Sequence, residues 1–533
     1  MCSRKREKSV NQGIPNSFAN RRALSSRWLY TAVNCASGMP LIAKACVRAT
    51  PPGPAIPIRT VTINPPCFFC FEIYNICIRH GCQGIKERRQ IMDKLAILGG
   101  KPVVTIKDPE QWRRPIDREL QLIKELLETD FLSGAGKGLP KQFEDQFQKF
   151  IGAKYCLTTC SGTLALQSAF YAVGVGPGDE IIVPAWAYIS SYAGALHLGA
   201  RPVFCDVDPK NMLIDPSDAE KRITDRTKAI VAIHFGGNVC NLEELWEIGR
   251  KYGIAIVEDA AHAHGAMWDG KKIGSIGDIV CFSLQGSYST PQAGKPVAGG
   301  EGGIVCTNNR LFYERMLVYC HLHRPELPSE LSLPEYRMFD EEGLGLKFRA
   351  HPLALAIAKV SLESLEYRIK QTDAFREELF AGLQDLPGVK PEYTYPKAKR
   401  ISIYGGLKIL YYPEELNGLS CEKFVKALQA EGVPVIRGPG STQKLQHLKP
   451  QFARGFDLWG HGRSPIFGEF FGLPCYKGYH KGDFPIAEKL SENFFTMPVY
   501  IKPKQKFLKQ CLTAFYKVIE KHRDLLKASP QAT

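Results

Sequence analysis

The chain has 533 residues, 44% hydrophobic and 23% charged, a balance that suits a globular protein with a large buried core. No run approaches the roughly 18 consecutive apolar residues that a membrane span needs, and the most apolar early stretch, Phe68 to Ile78, is short and carries Glu72. The formal charge of +15 is uneven: residues 1–90 hold 14 Lys/Arg against 3 Asp/Glu, and everything after them carries only +4. A basicity that would otherwise suggest a nucleic-acid partner therefore belongs to that segment alone, and the bulk lacks a basic, aromatic-interleaved patch.

Residues 1–91 are rich in Arg, Ser, Pro and Cys, with no sustained period of 2 or 3.6. Arg and Ser without acids partly fit a transit peptide, but Pro51, Pro52, Pro54 and Pro57 break any long amphipathic helix. The segment reads as a disordered or misassigned leader in preference to a targeting signal, and Met92 opens a clean start. Its Cys67 and Cys70 form one CxxC, with Cys77, His80 and Cys82 nearby; a zinc site needs a second pair at suitable spacing, so no metal is expected. Of the 17 cysteines, seven precede residue 91 and most of the others sit inside apolar runs, as buried reduced thiols do. That pattern implies a reducing compartment and a cytoplasmic location.

Helical spacing runs through Ile116–Leu127 and Gln142–Ile151. Short apolar runs then alternate with helical stretches: strands at 155–159, 180–184, 202–207, 229–234, 254–258, 279–284 and 303–307, and helices at 162–173, 189–198 and 242–252. Strands at this spacing with helices between them predict βαβ units and a mostly parallel sheet. Helices follow at 352–368 and 374–386. Beyond residue 388 come a strand at 405–411 and helices at 421–431 and 507–526. The expected division is a large α/β domain over 92–387 and a smaller C-terminal α+β domain over 388–533.

Three places on this frame carry chemistry. Ser161-Gly162-Thr163 lies where a strand gives way to a helix, so free N–H groups there can hold an anion; taken alone, such a motif is usually just an N-cap. Asp259 follows an apolar strand, at the end that faces the ligand crevice in parallel sheets, where a carboxylate can pair with a protonated ring nitrogen or simply cap a helix. Lys295 precedes Pro296-Val297-Ala298-Gly299-Gly300-Glu301-Gly302-Gly303, a compact turn beside which a lysine is free to reach an aldehyde; it must be unprotonated to attack.

Phosphate turn, acid after a later strand, then lysine before a Gly-rich strand is the order of a pyridoxal 5'-phosphate (PLP) site. The residues resemble the DegT/StrS family of PLP-dependent sugar aminotransferases, which have the fold of aspartate aminotransferase. The likeness covers about residues 94–525 and rests on Cys160-Ser161-Gly162-Thr163, Gly178-Asp179-Glu180-Ile181-Ile182-Val183-Pro184, Gly199-Ala200-Arg201-Pro202-Val203, Glu258-Asp259-Ala260-Ala261-His262, Phe282-Ser283-Leu284-Gln285 and Gly300-Glu301-Gly302-Gly303. It implies a three-layer PLP-transferase fold, with Lys295 as the catalytic lysine that carries the cofactor. Gly162, Thr163 and Ser283 would hold the phosphate, Tyr188 would stack on the ring, Asp259 would bind its N–H, and His262 would lie near its oxygen, where many members have Gln. The stretch from Gly345 to Pro352 resembles the loop that a partner subunit lends to the site of a homodimer, with Lys347 where many members have Asn. Arg349 admits a substrate contact or a structural salt bridge. The Lys-Phe-Arg-Ala-His-Pro wording looks most like members acting on inosose-type ketones.

The implied activity moves an amino group from glutamate or glutamine to a keto-sugar or keto-cyclitol. Alternatives are a sugar dehydratase of the same family, whose members carry His in place of the lysine, and a non-catalytic PLP-fold regulatory protein. One departure stands out: Ser283 and the lysine, usually five residues apart, are twelve apart here. The extra Tyr288-Ser289-Thr290-Pro291-Gln292-Ala293-Gly294 would disturb the reactive lysine unless it loops outward, and an unspliced stretch is one explanation. A nucleotide dehydrogenase is excluded by the lack of a GxGxxG that opens a helix after a strand.

Overall fold

A computed structural model describes residues 93–528 except 135, 325–326, 439–443 and 467–475, together with residues 32–34 and 40–42. The chain divides into two compact units, 1–71 and 72–533. In the first, Ala32–Asn34 pairs antiparallel with Pro40–Ile42. The cysteine cluster at 67–82 and the expected start at Met92 lie outside the described residues.

The second unit opens with α1 (Ile116–Glu128) and α2 (Gly138–Ile151). There follow β1 (Tyr155–Thr159), α3 (Gly162–Ala172), β2 (Glu180–Pro184), α4 (Ser190–His197), β3 (Arg201–Cys205), α5 (Pro216–Lys221), β4 (Thr227–Ile233), α6 (Leu242–Tyr252), β5 (Ala255–Asp259), β6 (Ile279–Ser283) and β7 (Gly303–Thr307). The seven strands form one sheet in the order β1-β7-β6-β5-β4-β2-β3. Pairings from β6 across to β3 are parallel, and β7 runs antiparallel to both neighbours. The mostly parallel sheet inferred from the apolar runs is present.

Alternate residues of each strand go to opposite faces, as strand geometry dictates. Cys156, Ile182, Ile230, Ile256, Val280 and Ile304 enter one core with α1, α2 and α6. Leu157, Ile181, Val231, Val257, Cys281 and Val305 enter another with α3, α4 and α7 (Arg310–Cys320). Both faces are covered, so the strands read as continuous apolar runs. Helix α7 was not legible in the sequence because its residues are buried on nearly every side and leave no amphipathic period.

The expected helix over 352–368 is broken at Ser364 into α8 (Pro352–Glu363) and α9 (Leu365–Leu383). Beyond them, β8 (Val389–Pro391), β9 (Leu407–Tyr411), β10 (Ile436–Arg437) and β11 (Phe494–Met497) make an antiparallel sheet in the order β8-β9-β11-β10. Helices α10 (Cys421–Ala430) and α11 (Gln505–Glu520) pack against it. This core also takes in Leu95, Val103 and Val104 and the α9 residues Phe375 and Leu379, so it draws on both sides of the expected division at 387. Buried Glu431 ties the segment before α1 to α11, accepting from the Ala96 and Val103 amides and pairing with Lys517 at 2.9 Å.

Candidate active site

The C-terminal ends of the parallel strands open on a cavity of about 680 Å³, the crevice where open α/β sheets bind ligands. Seven of the eight residues singled out above line it: Gly162, Thr163, Tyr188, Asp259, His262, Ser283 and Lys295. Lys347 does not line it and is exposed at an isolated bridge to His321. Arg349 is absent from the lining too, and no carboxylate pairs with it among the described residues.

At one end, Ser161 caps α3 by accepting from the Leu164 amide. The first turn of α3 thus presents unpaired N–H groups and a positive helix end to the cavity. A Cβ on Gly162 would fall 2.7 Å from the Ser283 Cβ, so only glycine lets the turn approach β6 this closely. Thr163 Oγ1 donates to Ser190 Oγ at 2.9 Å. Hydroxyls from Thr163, Ser190 and Ser283 thus gather beside a helix N-terminus, a donor set that fits a phosphate group.

Asp259 ends β5 and is held from two directions. Ser191 Oγ donates to its Oδ2 at 2.7 Å, and the Ala261 amide donates to Oδ1 at 3.1 Å. Ser190 and Ser191 were not singled out beforehand. Both occupy the first turn of α4, and only the packing of α4 over the strand ends brings them to the site.

Lys295 brings an amine into the cavity. Its Nζ lies 2.9 Å from His262 Nε2 and 4.0 Å from the centre of the Tyr404 ring. The Gly236 amide donates to His262 Nδ1 at 3.2 Å. With Nδ1 accepting, the neutral imidazole carries its proton on Nε2 and aims it at Nζ. Burial, with the Lys295 charge adding to it, holds the His262 pKa well below the ordinary imidazole value. Nζ can accept that hydrogen bond only as a free amine. Burial pushes the Lys295 pKa down to about 8, with Asp259 opposing the shift. The geometry and the electrostatics thus agree on a lysine poised as a nucleophile. Tyr404, in the loop before β9, carried no signal in the sequence.

The extra residues loop out and return. The Lys295 amide donates to Gln285 O at 2.9 Å, so the excursion returns the lysine beside the segment it left.

The anion end, the ring-nitrogen partner and the free amine fit PLP: phosphate at α3, ring N–H at Asp259, aldehyde toward Lys295. The sequence profile of the DegT/DnrJ/EryC1/StrS aminotransferase family matches residues 115–445. The chain belongs to this family. It is accordingly an aminotransferase. It is 34% identical over 342 residues to a protein of Micromonospora echinospora, covering 64% of this chain and 78% of that one. A protein of Streptomyces kanamyceticus is 30% identical over 449 residues, covering 82% and 99%. Both are named as candidate L-glutamine:3-amino-2,3-dideoxy-scyllo-inosose aminotransferases. The fold matches the aminotransferase from Psychrobacter cryohalolentis with a TM-score of 0.64, at 23% identity, over 78% of this chain and 99% of that one.

Proposed function

We propose that this family member uses PLP to move an amino group from glutamine or glutamate to a keto-sugar or keto-cyclitol. The observation that carries the reading is the Lys295 amine, its pKa pushed down to about 8 by burial, across the cavity from Asp259 and the α3 turn. Bound PLP would supply an electron sink that makes the donor's α-proton removable. The rest falls to the chain's own residues. Gly162, Thr163 and Ser283 would hold the phosphate and Tyr188 would cover the ring. Asp259, fixed by Ser191, would keep the ring nitrogen protonated. His262 would donate from Nε2 to the ring oxygen. Lys295 Nζ would take the proton from the donor's α-carbon and return it at the cofactor's aldehyde carbon.

Lys347 would act from the partner subunit of a homodimer, which accords with its place outside this chain's own cavity. Cys156 and Cys306 Sγ stand 3.0 Å apart on paired strands as free thiols, in keeping with a reducing cytoplasmic location. Among the described residues no helix is long and apolar enough to cross a membrane.

The test is to purify the protein with PLP and treat it with borohydride. The expected result is loss of the absorbance of the lysine-linked cofactor and a pyridoxyl mass on the peptide carrying Lys295. L-Glutamine or L-glutamate should discharge the same absorbance without borohydride. A protein that binds no PLP, or binds it without modification of Lys295, would overturn the reading.

A further inference from the structure

The seven residues that separate Lys295 from Ser287 are built into the cavity wall. The excursion leaves and returns at a crossing of two glycines. Gly286 has φ +89°, and a Cβ there would lie 2.6 Å from Ala293 O; a Cβ on Gly294 would lie 2.4 Å from the Ser287 amide. Below the crossing, Gly286 exchanges hydrogen bonds with Gly300 at 2.7 and 2.9 Å. Above it, Tyr288 is 1% exposed, and its hydroxyl donates to Glu119. Its ring lies 5.1 Å from the guanidinium of buried Arg368 and 5.6 Å from that of Arg114, which also donates to Ser287 Oγ at 3.0 Å. An anchored aromatic and two glycines that admit no side chain make this a seated segment.

What the seated segment delivers to the cavity is Gln292. Its Nε2 donates to Val499 O at 2.8 Å. A backbone carbonyl can only accept, so this contact settles which end of the amide is which. Oε1 is left without a protein donor among the described residues. An amide oxygen accepts from hydroxyls and cannot accept from a carboxylate. Carboxylates of the amino-acid donor offer Oε1 nothing, and glutamine adds only its carboxamide N–H, whereas a polyhydroxylated ring ketone brings a hydroxyl on several carbons, so Gln292 favours chiefly the second.

Building on the aminotransferase reading, we propose that Gln292 is a specificity-determining residue for the amino acceptor, taking a hydrogen bond on Oε1 from a ring hydroxyl of a polyhydroxylated ketone. Residues 288–294 are the device that places it there.

The test uses the full-length PLP-loaded enzyme, wild type and Gln292→Leu, with the two half-reactions followed separately by cofactor absorbance. Gln292 is exposed in the cavity, so folding is not at stake, and an unchanged spectrum of the lysine-linked cofactor verifies this. L-Glutamine loads the enzyme; scyllo-inosose or hydroxyl-free cyclohexanone then discharges it. The expected result is a donor half-reaction within twofold of wild type. Preference for scyllo-inosose over cyclohexanone should fall about tenfold, the size of one lost hydrogen bond. Unchanged preference, an equal drop in both half-reactions, or a wild type that loads but never aminates scyllo-inosose overturns the proposal. A wild type that neither loads nor is reduced onto Lys295 overturns the aminotransferase reading itself, and the proposal with it.

Discussion

Lys295 at the strand ends and Lys408 in the smaller sheet have surroundings that are chemical opposites. Lys408, on β9, has its Nζ 2.7 Å from Glu392, donates to Asn211 O at 3.0 Å, and shares Glu392 with Arg400 at 2.6 Å. Lys295 touches no carboxylate; it meets an imidazole N–H and the face of a tyrosine. Burial pushes both pKa values down, but Glu392 opposes the shift at Lys408 through a direct contact, whereas Asp259 acts on Lys295 only from a distance. A buried lysine with a carboxylate is a structural tie. One without has the surroundings of a reagent, because it becomes a free amine at a lower pH than it would in water.

The largest break of this contrast is removal of the reagent. Lys295→Ala should lower turnover by about 10³-fold or more, the range of a lost positioned base, and leave no linkage for borohydride to trap. The stability cost should be small. Lys295→Met should leave the melting temperature of the cofactor-free protein unchanged or raised at pH 7, because no partner is stranded. Lys408→Met should do the reverse. It leaves a buried carboxylate half paired, at a cost of about 3 kcal/mol, read as a melting temperature lower by several degrees with cofactor binding retained. A Lys408→Met protein as stable as wild type would dissolve the distinction.

The same two regions show what the sequence made legible. Buried strands announce themselves as apolar runs, so Asp259 was legible at the end of one, whereas Ser283 was singled out only through the family resemblance. Tyr404 and Gln292 reach the cavity from loops with no period, and their roles depend on what the chain brings beside them. The strand Phe494–Met497, central to the smaller sheet, was missed because four residues after a helix carry too little pattern. Lys408 looked like any strand lysine; its partner Glu392 lies across a sheet whose register only the fold reveals. The excursion at 288–294 read as damage, since nothing local shows that Tyr288 has a buried place waiting or that two glycines close the neck.

A titration sharpens the comparison further. Attachment of PLP to the cofactor-free protein requires the free amine, so its rate should rise about tenfold between pH 7 and 9 around a lysine pKa of about 8. The sign for stability follows from the same shift. Between about 8 and the ordinary value of 10.5, the folded protein holds Lys295 unprotonated while the unfolded chain binds the proton. The Lys295 contribution to stability therefore grows as pH rises through that window and is lost as pH falls back to 8. Lys295→Met should flatten that part of the stability profile.

The smallest effect tests how the free amine is held. Gly236 N–H fixes the His262 tautomer, and Nε2–H then donates to Nζ, a bond that exists only with the uncharged lysine. His262→Leu deletes it, so the pH midpoint of cofactor attachment should move up by about half a unit, as a neutral hydrogen bond of about 1 kcal/mol implies. His262→Gln should leave the midpoint close to wild type, because one amide can accept from Gly236 and donate to Nζ. If Leu and Gln give the same midpoint, burial alone sets the lysine and the imidazole serves only to fill space. If they separate, the hydrogen bond is what keeps Lys295 a reagent while Lys408, fully buried beside Glu392, stays a tie.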